Sequence, residues 1–125
     1  MLQANEHSSA EYSALLKDQT GAAIGAANLT LVRLTLYDRD TDTILNARDD
    51  QNVLNTNDVL IADDVDGNTL LTWAMQPADN AIIAQTRKGA EVHTALFTFE
   101  WPGGHHHHEA TILVQPLAHI PRAAE

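Results

Sequence analysis

Four consecutive histidines, His105 to His108, are the densest set of metal-ligand atoms in the chain. Imidazole nitrogen suits Ni²⁺, Zn²⁺ and Fe²⁺. Spacing decides what such a run can hold. In an extended strand, neighbouring side chains point to opposite faces. His105 and His107 then share one side, and His106 and His108 the other. One chain therefore offers pairs rather than a closed site, whereas three copies around a symmetry axis bring six nitrogens together. The run also reads as a solvated hairpin tip, or as a pH-sensitive contact, because imidazole titrates near about pH 6.5. His93 shares strand parity with Ala95 and Phe97 and reads as a hydrogen-bonded histidine at the edge of the core.

Oxygen ligands bunch in two places. Asp38, Asp40 and Asp42 have the alternating spacing of a calcium loop. Thr43 stands where that loop needs glycine, however, and Asp49 where it needs glutamate. Asp64, Asp66 and Gly67 match another part of the template, with Ala62 in its first position and Trp73 in its last. Both read first as plain turns, where aspartate bonds its own backbone, with a weak calcium ion as the alternative.

Covalent catalysis finds little to work with. The only serines are Ser8, Ser9 and Ser13, and no Gly-x-Ser-x-Gly elbow exists. The chain has no cysteine, which excludes thiol catalysis, thiolate zinc sites and disulfides. Neither glycine-rich phosphate cradle is present. The expectation is a chain with no catalytic residues and no bound cofactor, apart from a transition metal at the histidine run.

The elements that position the histidines are strands. Val92 to Trp101 alternates: Ala95, Phe97, Phe99 and Trp101 on one side, Thr94, Thr98 and Glu100 on the other, with Leu96 out of pattern. Pro102-Gly103-Gly104 breaks the run, and Ala110, Ile112 and Val114 form a second apolar face. This predicts an antiparallel hairpin with the histidines near its tip. Ser9–Lys17, Leu29–Tyr37, Thr43–Asn46, Val59–Ile61 and Thr69–Met75 read as further strands. Residues 47–57 read as the longest loop, Asp66-Gly67 as a hairpin turn, and the stretch from Pro77 to Ala84 as one or two helical turns. About seven short strands with one helical crossover predict an all-β, two-sheet antiparallel sandwich of immunoglobulin type, with a small β-barrel as the alternative. The domain is expected at 9–116, between a flexible arm at 1–8 and a tail at 117–125.

The 125 residues suffice for one domain with a real core. The formal charge of −10 opposes nucleic acid and anionic membranes, which require clustered Lys and Arg. No apolar run is long enough to span a bilayer. The N-terminus carries neither a basic nor an apolar leader segment, so cytoplasmic synthesis is expected.

Several phrases carry a resemblance: Leu34-Thr-Leu-Tyr-Asp, Ile44-Leu-Asn-Ala-Arg-Asp-Asp-Gln-Asn-Val-Leu-Asn, Leu71-Thr-Trp-Ala-Met-Gln-Pro-Ala-Asp-Asn-Ala-Ile, His93-Thr-Ala-Leu-Phe-Thr-Phe-Glu-Trp and His108-Glu-Ala-Thr-Ile. Across about residues 10–115, the chain resembles small structural proteins of tailed bacteriophages with an immunoglobulin-like sandwich. The resemblance implies a non-enzymatic virion component: a head decoration, or a neck or tail adaptor. Its partners would be other virion proteins and symmetric copies of itself. It supplies no site residues. Leu2, Leu117, Ile120 and Pro121 are expected to dock on neighbouring subunits from the two ends of the chain. Two other functions stay open: a ligand- or glycan-binding sandwich using loops 47–57 and 102–108, and a metal-dependent assembly module using the histidine run.

Overall fold

A computed structural model describes residues 2–83 and 89–116. Eight strands carry the fold: β1 (Leu2–Asn5), β2 (Ala10–Leu16), β3 (Leu31–Asp38), β4 (Gln51–Asn52), β5 (Val59–Asp63), β6 (Thr69–Met75), β7 (Glu91–Trp101) and β8 (Gly104–Gln115). Two short 3₁₀ turns, Ala26–Asn28 and Pro77–Asn80, complete the regular structure. There is no α-helix among the described residues.

The strands form two sheets, ordered β1-β8-β7-β3-β4 and β2-β6-β5. Every pairing is antiparallel except β1 with β8, which is parallel. Two packed sheets with β2, β6 and β5 on one side and β3, β7 and β8 on the other is the arrangement of an immunoglobulin-like sandwich, with the two-residue β4 at the edge beside β3.

Alternation explains which face each strand buries. On β3, Val32, Leu34 and Leu36 are fully buried; on β6 the same holds for Leu71, Trp73 and Met75, and on β7 for Ala95, Phe97 and Phe99. Register sets Leu34 opposite Phe97 and Leu36 opposite Ala95, so the inward faces of neighbouring strands make one continuous surface. The two sheets meet where the Phe97 ring packs edge-on against Trp73, centroids 5.7 Å apart. Such edge-to-face contact adds to the burial energy of two large rings. The tryptophan that antibody domains hold on the strand equivalent to β3 is absent here, as is their disulfide. Trp73 occupies the core from the opposite sheet instead.

Turn chemistry also follows the sequence. The β5–β6 hairpin closes through Asp64 and Asn68, and Gly67 takes φ +79, a conformation open to glycine. The Asp64 carboxylate accepts bonds from the Asp66 and Asn68 backbone amides.

Four expectations need correction. Residues 2–5 are not a loose arm: they pair with Ile112–Gln115 as an edge strand, which extends the sandwich to the second residue. Leu2 is accordingly half-buried and packs against the core. Residues 43–46 form no strand beyond a single bridge between Tyr37 and Ile44. A two-residue strand lies inside the expected loop 47–57, at Gln51–Asn52. Asn46, Ala47 and Asp50 have positive φ, which breaks the strand before it. The helical crossover is present as the shorter 3₁₀ turn Pro77–Asn80.

Candidate functional site

The histidine run lies on β8, in register with the far half of β7. Phe97 faces His108, Thr98 faces His107, Phe99 faces His106, and Glu100 faces His105. Cross-strand partners share a face, so His106 and His108 lie on the inward side with the phenylalanines, and His105 and His107 on the outward side. The inward pair is held by aromatic contacts. His106 packs edge-on against Phe99 at 5.9 Å, and His108 lies between Phe97 and Tyr12. The Tyr12 hydroxyl hydrogen-bonds His108 Nε2 across the two sheets. Burial pushes the His108 imidazole pKa below 6.5 and raises that of the Tyr12 hydroxyl above 10.0, since each loses the solvation of its charged form. On the outward side His107 Nδ1 sits 3.0 Å from Thr98 Oγ1, and the His105 and His107 rings meet edge-on at 6.1 Å. Leu15, Lys17, Asp18 and Phe99 join His106, His107 and His108 around an open recess.

Only Ile112–Gln115 of β8 pairs with β1. Gly104–Thr111, with all four histidines, has β7 on one side and no strand on the other among the described residues. Alternate backbone groups of this segment therefore point outward from an open sheet edge.

A second cluster lies at the opposite end of β7. Glu91 and His93 stand two residues apart on its inward face, and register places Asp38, the last residue of β3, opposite His93. All three are at most 1% exposed. His93 Nε2 lies 3.1 Å from Glu91 Oε1 and 4.0 Å from Asp38 Oδ1. One oxygen of Asp38 accepts from the Thr41 amide and hydroxyl, and Glu91 Oε1 accepts from the Ile83 amide. Asp38 Oδ1 and His93 Nδ1 are buried without a hydrogen-bond partner.

The same end carries a buried ion pair. Arg48 donates to both oxygens of Asp79, at 2.6 and 3.1 Å, to Asp58 at 2.9 Å, to the Gln51 side chain at 2.8 Å and to the Asn57 carbonyl at 3.0 Å. Burial alone would lower the Arg48 pKa. The bonds and charge of Asp79, and then of Asp58, outweigh it and raise it. Asp79 also accepts from the Gln76 amide, which closes the 3₁₀ turn, and from Asn46. This network ties the loop after β3 to the turn before β7.

Of the residues singled out in the sequence, the structure splits His105–His108 into two facing pairs, as strand parity requires. It takes Asp38 out of its calcium-loop pattern and into the core, while Asp40 and Asp42 stay exposed. Asp64 spends its oxygens on its own turn, and those bonds hold its pKa below 3.8. Leu117, Ile120 and Pro121 lie outside the described residues. Sequence reading missed the Asp38–Glu91–His93 grouping, although the signal was there: each residue sits at core parity on its strand.

No protein-family model and no curated protein matches the chain. Solved structures similar to it include a titin tandem of two immunoglobulin domains, at 10% identity and TM-score 0.38, covering 92% of this chain. The chain spans 43% of that tandem's length. A chimeric titin Z1Z2 carrying a KLER peptide from decorin is similar at 13% identity and TM-score 0.36, covering 93% of this chain and 86% of that one.

Proposed function

We propose that the chain is a non-enzymatic structural subunit that works through contacts with other protein chains. In this reading it serves in a tailed-bacteriophage particle as a head decoration, or as a neck or tail adaptor, in symmetric copies. The observation that supports it most is the edge of β8 from Gly104 to Thr111, which no strand among the described residues covers. Folded domains normally blunt such an edge with lysine, proline or a bulge. This segment has neither lysine nor proline, Glu109 is its one acidic side chain, and its strand pairing with β7 is unbroken from Glu91 to Trp101. An edge of that kind takes an added strand from a neighbour, with backbone hydrogen bonds for affinity and the alternating side chains for selection. The sandwich behind it is a stiff support, and the sequence phrases described above point to the virion class.

Mass spectrometry of particles purified from the host that encodes the chain tests the particle assignment; it is expected there at stoichiometric abundance, and absence from the particle overturns that assignment. Light scattering after gel filtration, with and without His105→Lys and His107→Lys, tests the edge. The two lysines are expected to abolish association, and an unchanged assembly state refutes the use of this edge.

A further inference from the structure

We propose that Asp38, Glu91 and His93 form a binding site for one divalent metal ion of the Zn²⁺, Mn²⁺ or Fe²⁺ class, clamping the end of β3 to the start of β7. This site is distinct from the histidine run, which lies at the far end of β7, and the proposal does not depend on the function inferred above.

The chemistry of the three side chains carries it. Two carboxylates and an imidazole make a mixed oxygen and nitrogen set that suits these borderline and hard cations. One ligand atom from each lies within 4.8 Å of the other two. A metal with bonds of about 2.0 to 2.2 Å holds its ligand atoms about 2.8 to 3.6 Å apart, from octahedral to tetrahedral geometry. His93 Nε2 and Glu91 Oε1, at 3.1 Å, already meet that spacing. Asp38 Oδ1, 4.0 Å from Nε2, must close by less than about 1 Å to do so. That oxygen is unengaged, because the bonds from Thr41 end on the other one.

Protons alone serve the cluster poorly. His93 Nε2 has one hydrogen to give, and Glu91 at 3.1 Å is its partner. Asp38 Oδ1 is then left buried, facing the ring, with no donor. A buried carboxylate oxygen without a partner is costly. A dication would take one oxygen from each carboxylate and the Nε2 lone pair, with the imidazole proton on Nδ1.

The surface histidines would confound a simple binding assay, so the test uses a chain with His105, His106, His107 and His108 all changed to Ser. After chelator treatment and gel filtration, Zn²⁺ or Mn²⁺ is added, excess is removed, and retained metal is counted by elemental analysis. About one ion per chain is expected, with Tm rising by about 5 °C or more at a hundredfold excess over Kd. Asp38→Asn and His93→Gln in the same background should lose the ion while keeping the far-ultraviolet circular dichroism of a β-protein. No retained ion and no rise in Tm for either metal overturns the site. So does full retention by Asp38→Asn. Should either substituted chain fail to fold, the thermal shift of the otherwise intact background decides the matter by itself.

Discussion

Asp79→Asn is the sharpest probe of what holds the β7 end of the sandwich together. The change keeps the shape of the side chain and removes its charge. Arg48, with 2% of its side chain exposed, then retains Asp58, which is 38% exposed, as its carboxylate partner among the described residues, beside uncharged bonds to Gln51 and the Asn57 carbonyl. Removing one partner of a buried ion pair costs about 3–5 kcal/mol, because the other charge stays buried without compensation. The surviving contact to Asp58 is partly screened by water, and it moves the expectation to the lower end, about 3 kcal/mol. Asn46 bonds one oxygen of Asp79 and the Gln76 amide the other, so the single amide oxygen of asparagine keeps only one of these acceptors, and the lost bond adds to the cost. For a domain of this size, about 4 °C of Tm accompanies each kcal/mol, which gives a fall of about 12 °C. Urea titration at neutral pH should show a lower midpoint with an unchanged slope. A second variant separates the charge from the packing. Arg48→Met with Asp79→Leu removes both charges and should recover much of the loss, since apolar groups of similar volume often replace a buried pair at little cost. If Asp79→Asn costs less than about 1 kcal/mol, the pair is not the clamp inferred from its geometry.

Three further outcomes follow from the same structure. Arg33→Ala breaks the exposed pair to Asp50, whose side chains are 45% and 62% exposed, and should shift stability by less than about 0.5 kcal/mol in the same urea titration. Phe97→Ala opens a hole between Trp73 and Tyr12 at the meeting of the sheets and should cost about 3–5 kcal/mol, read as a lower urea midpoint. His108 should titrate below 6.5 when its ring signals are followed by NMR, and Tyr12→Phe should leave that midpoint depressed, because burial, not the tyrosine bond, lowers it. The unfolded chain takes up this proton first as pH falls. The stabilisation from neutral His108 is therefore complete above about pH 6.5 and is lost as pH drops through the lower folded-state value. A His108 midpoint at or above 6.5 refutes the desolvated placement.

What the sequence discloses and what it hides divide along one physical line. Alternation is a local property, so β2, β3, β6, β7 and β8 and their buried faces can be read from spacing alone: Val32, Leu34 and Leu36 on one strand, Leu71, Trp73 and Met75 on another. The turn at Gly67 is legible for the same reason, because positive φ is a demand on one residue. β1 is not legible. Four residues with a single buried alanine have no pattern of their own, and they become a strand only because β8 supplies a partner more than 100 positions away. The two residues of β4 are held in the same way by Arg33 and Leu34. Polar groups show the limit most clearly. Asp38 continues the face of Val32, Leu34 and Leu36, and Glu91 and His93 continue the face of Ala95 and Phe97. A period-two reading carried one step past the last apolar residue buries all three, yet each alone resembles a turn acid or a strand-end charge. Only the register that sets Asp38 against His93 makes them one group. A titratable residue at core parity next to a strand end is thus a stronger pointer to a site than the conspicuous histidine run. Asp38 Oδ1 and His93 Nδ1 have no hydrogen-bond partner there, and a buried polar atom of that kind is costly.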